Sequence, residues 1–431
     1  MSLLKLNQKY ILSAVIVALI IIGMAAFLLL RGPTQPPQEG EIVIKIGFIF
    51  SLTGVASPIG PVQLRGALLA IDEIKNMNLE VDGKRIRIEY LVRDDATKSD
   101  EALARFRELK EWGAHFIIGT TFAAISAAIN TELAKDPSLV FIPTNVLSLA
   151  TLNASVVAPT LFAPHGTAFS IGYMGVKYLV EKMNVTRIAF FAPAYAFGWD
   201  QWKGAETALK EYGNRVSYMY IESPVGTPDF TPYFINILAW RPQALMIAHW
   251  GTDAINVLKQ LYESGTKDKI PIIWFNWHTI VYDRGIPAGA LSNVYGLISY
   301  YYNVSNLNIE ETLKNKIHDF ARKYWEKYGE YPDPYAAYAY LGVWIAIRGV
   351  IEAKSTDPIK ISNVLLNMTF DTFKGEARFR IARDMLFPIG AFVVRGKSPT
   401  ERANEWDLLE VIDVYSGIDY LPPLSLIGYH S

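Results

Sequence analysis

From residue 42 onward the chain alternates two hydrophobic periodicities. Short, nearly continuous apolar runs rich in β-branched residues begin with 42–50 (IVIKIGFIF), the pattern of strands buried on both faces of a parallel sheet. The loop 51–60 then carries Gly54 and Gly60, with Pro61 placed as a first helical residue, and Leu64, Leu68, Ile71 and Ile74 form one helical stripe. The same spacing predicts strands at 85–92, 116–118 and 139–142. It also predicts a helix at 99–112 with Ala102, Phe106 and Leu109 inward and Gly113 as its stop. After Gly166 the pattern restarts with a helix to Met183, a strand at 187–192, a helix at 199–212 stopped by Gly213, and strands at 216–221, 244–248 and 271–275. Helices at 310–328 and 334–353 and strands at 392–395 and 406–414 complete the reading. Two lobes of one α/β plan are expected. Ligands of open α/β sheets bind at the loops beyond the carboxyl ends of the strands, so those loops are the candidate site.

The first 41 residues follow another pattern. Residues 10–30 (YILSAVIVALIIIGMAAFLLL) form an uncharged run of 21 residues, long enough to cross a bilayer as a helix. A cleaved signal peptide competes with a retained anchor over 1–31, although Met24-Ala25-Ala26 is a poor cleavage site followed by more apolar residues. Lys5 and Lys9 precede the run and only Arg31 follows closely, which favours an inside N-terminus and a globular part outside the cell membrane. Residues 32–41 are polar and Pro-rich, the composition of an extended tether. Asn-x-Ser/Thr triplets at Asn153, Asn184, Asn303 and Asn367 are compatible with that exterior placement.

Composition narrows the function classes. Among 431 residues the net charge is -1, with no block of Lys or Arg, which argues against a nucleic-acid surface. There is no Cys, so disulfides, thiolate metal sites, Cys nucleophiles and a lipidated Cys anchor are excluded. No nucleophile elbow, phosphate-binding Gly-rich motif or HExxH zinc motif stands in the chain, as expected of a binding protein rather than an enzyme.

Four segments carry a family resemblance: 51–74 (SLTGVASPIGPVQLRGALLAIDEI), 90–97 (YLVRDDAT), 116–119 (FIIG) and Phe197-Gly198. In this order they resemble the type I periplasmic binding proteins that serve branched-chain amino-acid (leucine/isoleucine/valine) ABC transporters, over about 42–394. The resemblance implies two Rossmann-like lobes joined by three hinge crossovers, near 162–165, 297–301 and 386–388. Lobe 1 would take 42–163 plus 299–387, and lobe 2 would take 164–298 plus 388–431. It implies a solute held in the interlobe cleft, hinge closure, delivery to the membrane subunits of an ABC permease, no catalysis and no cofactor. A sensory or regulatory protein of the same fold is the alternative. Such a receptor usually continues into a second span, whereas this chain ends at Ser431.

The family's ligand positions carry over loop by loop, each beside a plainer reading as core or hinge packing. Ile59 either caps the ligand or staples the helix start. In the loop 119–124 the family's hydroxyl position falls on Ala123, which leaves Thr120 or Thr121 and the backbone N–H groups around Phe122, Ala123 and Ala124 to meet an anion. In the loop 143–148, Asn145 is followed by Val146 and Leu147 where the family has a small residue and Thr. Phe197 and Trp250 stand where aromatic rings cover the ligand. The acid expected for an ammonium falls on Trp277, between Asn276 and His278. A buried, unpaired ammonium costs on the order of several kcal/mol, so either Asp200 or Asp253 substitutes or the ligand is not a free amino acid. Apolar or aromatic-bearing solutes, with branched-chain or aromatic amino acids beside them, are the expectation. Asp94-Asp95 read as loop and helix-capping residues. His249, Asp253 and His278 fit no metal spacing, and no metal is expected.

Overall fold

The computed structural model describes residues 40–277 and 285–430. The expected membrane helix and most of the tether therefore lie outside the described residues, as does His278.

The first lobe is built on β1 (Glu41–Phe50), α1 (Gly60–Met77), β2 (Lys84–Asp94), α2 (Ser99–Glu111), β3 (Phe116–Gly119), α3 (Ala123–Lys135) and β4 (Val140–Pro143). Its sheet runs β2-β1-β3-β4, all parallel, with the short strand Glu80–Val81 antiparallel on the β2 edge. The register sets Phe50 opposite Asp94, Ile49 opposite Gly119 and Gly119 opposite Pro143, so the strands end together and their loops gather at one edge. Helix α2 buries Ala102, Phe106 and Leu109, the face its periodicity predicts. Helix α1 does not keep to one stripe. Its buried set is Gly60, Val62, Gln63, Gly66, Ala67, Leu69, Ala70, Ile71 and Ile74, while Leu64 and Leu68 are partly exposed. Two surfaces explain this: α1 packs on the sheet and also on a later helix, where a Cβ on Gly66 would sit 2.1 Å from the Ala336 carbonyl oxygen.

The second lobe contains α4 (Ala168–Glu181), β5 (Arg187–Pro193), α5 (Ala196–Tyr212), β6 (Ser217–Ser223), α6 (Thr231–Trp240), β7 (Ala244–Ile247), α7 (Gly251–Glu263), β8 (Ile272–Trp277) and β9 (Val294–Ile298). The chain then returns to the first lobe for α8 (Glu311–Tyr328), α9 (Pro334–Ala353) and α10 (Pro358–Leu365). Helix α9 is apolar and long enough to cross a membrane by composition, but 67% of it is buried inside the protein. The strands β10 (Thr369–Thr372) and β11 (Gly375–Phe379) pair with Met385–Leu386 in a small antiparallel sheet that the hydrophobic pattern did not announce. The chain finally adds β12 (Ile389–Gly396), antiparallel to β9, and β13 (Leu409–Ser416), antiparallel to β12, at the edge of the second lobe's sheet, whose order is β13-β12-β9-β8-β7-β5-β6. The fold is thus α/β with mixed sheets.

A tail follows β13 and returns across the hinge. Tyr420 is buried with the second lobe's core, and its hydroxyl accepts from the Phe387 N–H and donates to the Phe387 carbonyl. Ile427 is buried in the first lobe's cluster with Leu152 and Ala158, and its carbonyl accepts from the Ala154 N–H.

Candidate functional site

A cavity of about 290 Å³ opens where the two sets of loops face each other. On the first-lobe side β3 ends at Gly119, whose φ of +148° and close approach to the Ile49 carbonyl admit no side chain. The chain then runs through Thr120, Thr121 and Phe122 into α3. The polar side chains of these loops are committed to one another. Thr121 Oγ1 donates to Gln63 Oε1 at 2.6 Å and accepts from the Ser51 N–H. Ser126 Oγ donates to Asn145 Oδ1 at 2.7 Å, and Asn145 Nδ2 donates to the Val146 carbonyl. Phe122, Ala123, Ala124, Val146 and Leu147 are left to present an apolar wall. First-turn N–H groups of α3, at Ala123 and Ala124, have no acceptor within their own helix.

Asp94 and Asp95 do their capping on the opening loop rather than on α2, which starts after Lys98 without a side-chain cap. Asp94 accepts from the Leu52 and Thr53 N–H groups, and Asp95 accepts from Ser51 Oγ at 2.6 Å. They fix the shape of the loop that α1 leaves from.

On the second-lobe side, Tyr195 and Phe197 stack at 6.2 Å at the start of α5, and Gly198 is required because a Cβ there would lie 2.2 Å from the Pro193 carbonyl oxygen. Trp250, at the start of α7, meets Phe122 across the cleft at 6.1 Å, and its Nε1 donates to Tyr335 Oη at 3.3 Å. Asp200 is the only charged residue among the described residues lining the cavity. Its Oδ2 accepts from the Leu149 N–H at 2.9 Å, a bond from the second lobe to the first. Burial pushes this carboxyl up to about 6, with the Leu149 bond pulling the other way, and among the described residues no cation stands against it.

Nine of the eleven residues singled out from the sequence come together here: Thr121, Phe122, Ala123, Ala124, Asn145, Val146, Leu147, Phe197 and Trp250. Ile59 and Trp277 do not. Ile59 is fully buried, and its carbonyl accepts from the Val62 and Gln63 N–H groups, so it starts α1 from inside the core. Trp277 is 2% exposed and packs edge-to-face on Phe275 at 5.2 Å, because β8 runs one turn of the pleat further than its apolar run suggested. Asp253 is also elsewhere: its Oδ2 holds the Gly226 N–H. His249 is buried between Phe191 and Phe230 with its Nε2 at 2.9 Å from Ser223 Oγ, and burial pushes its imidazole down to about 3. Among the described residues no group of three His, Cys, Asp or Glu is placed to hold a metal. Tyr195 and Tyr335 were missed. Tyr195 stood two residues from Phe197, within reach of the same reasoning, whereas Tyr335 arrives from α9 by tertiary packing alone.

A second cavity of about 60 Å³ lies deeper, among the three crossings, with His165, Ser170, Trp277, Ser299, Lys374 and Phe387 in its wall.

A family model described as periplasmic binding protein matches residues 43–397. Leu/Ile/Val-binding protein homolog 2 of Brucella abortus (strain 2308) is 21% identical over 344 residues, covering 78% of this chain and 86% of that protein. Two solved structures share the fold. The amino acid ABC transporter substrate-binding protein from Pseudomonas fluorescens Pf-5 superposes with a TM-score of 0.77 at 20% identity, covering 91% of this chain and 100% of the other. An ABC transporter solute-binding protein from Rhodopseudomonas palustris BisB5, in complex with 3,4-dihydroxybenzoic acid, superposes with a TM-score of 0.71 at 16% identity, covering 88% and 98%.

Proposed function

The chain belongs to the periplasmic binding protein family, and on that premise we propose that it is the extracytoplasmic solute-binding component of an ABC importer. It closes two lobes on an apolar or aromatic-bearing solute that carries an amine, and hands that solute to the permease. The apolar run at 10–30 would hold it at the membrane with the lobes outside.

One observation carries the reading: the cavity between the lobes is walled by apolar and aromatic side chains and contains, among the described residues, a single charge, Asp200, without a cationic partner. A buried carboxylate in that state is stabilised by an incoming ammonium. The aromatic rings of Phe122, Tyr195, Phe197, Trp250 and Tyr335 suit an apolar body, and their faces also attract a cation. A carboxylate on the solute would be met by the α3 N-terminus at Ala123 and Ala124 rather than by the hydroxyls the family uses. Relatives named for leucine, isoleucine and valine, and a fold neighbour holding a dihydroxybenzoate, bracket the chemistry. Asp200 favours the amine-bearing end of that range, since a benzoate would meet like charge.

Mass spectrometry of solute released by unfolding the purified protein tests this, together with thermal shifts for leucine, isoleucine, valine, phenylalanine and 3,4-dihydroxybenzoate. The expected result is an amine-bearing apolar solute at near one per protein and stabilisation by such compounds. Absence of any released solute, with no shift from any of these compounds, overturns the assignment.

A further inference from the structure

The cavity among the crossings shares only Val146 and Tyr335 with the larger cavity described above. Its wall comes from both lobes: His165, Thr167 and Ser170 follow the first crossing, Ser299 stands at the second, and Lys374, Phe387 and Gly390 surround the third. Lys374 is 3% exposed. Its ammonium donates to the Gly390 carbonyl at 2.7 Å and to Tyr338 Oη at 3.1 Å, and it stands 4.1 Å from the Phe387 ring centroid. None of these partners carries a negative charge, and one of the three ammonium protons is left over. Among the described residues no carboxylate lines this chamber. A buried ammonium without counter-charge is expensive, and burial accordingly pushes Lys374 down to about 7.

The rest of the wall repeats the imbalance. Thr167 and Ser170 are 2% and 5% exposed, and neither hydroxyl has a hydrogen-bond partner. Both sit at the start of α4, where backbone N–H groups without helical acceptors collect. His165 is already engaged, with Nδ1 at 3.1 Å from the Thr144 carbonyl and Nε2 at 3.2 Å from Ser299 Oγ. Lys374 and Trp277 Nε1 each leave an N–H donor over, the Thr167 and Ser170 hydroxyls stand unpaired and can donate, and these groups come from elements that belong to different lobes.

We propose that this chamber binds a carboxylate-sized anion, held by Lys374 from one lobe and by Thr167 and Ser170 from the other. Such an anion ties the crossings together at the pivot of closure. Its source is either a free small anion, such as formate or a halide, or the carboxylate of the solute itself, because Val146 and Tyr335 line both cavities. The second source rests on the solute-binding assignment, and the first does not.

The test uses the full-length protein stripped of solute. Bromide and formate are titrated at constant ionic strength while melting is followed, and crystals soaked in bromide are searched for an anomalous peak at Lys374. A saturable upward shift that disappears in Lys374→Met and weakens in Ser170→Ala, with bromide in the chamber, assigns a free anion. If free anions have no effect, leucine is compared with 3-methylbutan-1-amine, which lacks the carboxylate. A loss of roughly tenfold in leucine affinity in Lys374→Met and Ser170→Ala, with the amine unchanged, assigns the solute's own carboxylate. Removing a buried charge for a thioether of similar length is compatible with folding, and Ser170→Ala decides the question if that variant does not fold. No anion effect, no bromide peak and equal losses for leucine and the amine overturn the proposal. Failure of every compound to bind would sink the importer assignment while leaving the bromide arm to decide this one.

Discussion

At the residue scale Asp200 and Trp250 line the cleft, whereas Trp277 lies behind it in the core. Asp200 has left water without gaining a cation among the described residues, and its folded pKa of about 6 stands above the ordinary carboxylate range. Between the unfolded and folded values the native state holds the extra proton, so this group makes stability fall as pH rises from near 4 through 6, with the full cost present above. Asp200→Asn is expected to melt a few degrees higher than the parent at pH 7 and to converge with it below pH 4, measured by calorimetry in the absence of solute. The same change weakens an amine-bearing solute by roughly tenfold or more, because a charge-assisted bond in a dry site is lost. In the parent, affinity for that solute rises as pH passes upward through 6. Trp250 and Trp277 separate cleanly. Trp250→Ala removes a wall of the cavity and is expected to shrink the solute-induced thermal shift with little change in the solute-free melting point. Trp277→Ala empties a fully packed site and lowers stability itself, by about 3–5 kcal/mol, read from denaturant midpoints.

At the scale of elements, the helices that present these side chains are placed by backbone contact rather than by side-chain interdigitation. Helices α4 and α5 meet at Gly172 and Gly204, where a Cβ would fall 1.8 Å from the Gln201 carbonyl oxygen and 1.9 Å from the Phe169 carbonyl oxygen. Helix α5 carries Phe197 and Asp200, so any separation of the pair moves the solute wall. Gly204→Ala is expected to cost about 2–3 kcal/mol and to weaken solute binding as well, whereas a surface change on α5 such as Lys210→Ala does neither; urea titration and thermal shift distinguish them. Such contacts bear on what was legible beforehand. Strands such as β1, β3, β4, β5 and β7 were readable because buried parallel strands are nearly continuously apolar, β2 and the edge strand β6 by their β-branched and aromatic residues, and α2 because it has one face. Helix α1 was misread because α9 covers its second face, which no local period encodes. The three-stranded sheet at 369–386 went unseen because its short strands alternate buried and exposed residues over only four or five positions. In the site, loops that follow strands were found by position. The acid that the family places at the Trp277 position is absent there; of the two substitutes considered, Asp200 lines the cavity from α5 and Asp253 does not, a difference set by where each helix starts rather than by any local pattern.

For the molecule as a whole, the proposed closure would depend on the contacts that cross the cleft and on the connections between the lobes. The Asp200 bond to Leu149, the Phe122–Trp250 contact and the Trp250 bond to Tyr335 hold the lobes together at the cleft. At the hinge a fourth connection joins the three crossings: the tail runs from Tyr420 in the second lobe's core, bonded to Phe387, to Ile427 in the first lobe's core, bonded to Ala154. On the proposed closure mechanism a strap of this kind would raise the population of the closed state before solute arrives, and apparent affinity scales with that population. Removing residues 421–430 leaves both sheets intact but cuts the strap. The shortened protein is expected to show a larger solute-free radius of gyration by small-angle scattering than the full chain. Its solute affinity should fall while the order of preference among solutes stays the same, because the walls of the larger cavity are untouched. An unchanged radius together with unchanged affinity would show that the three crossings alone set the resting angle, and that the tail serves only to cover the apolar surface beneath Ile427.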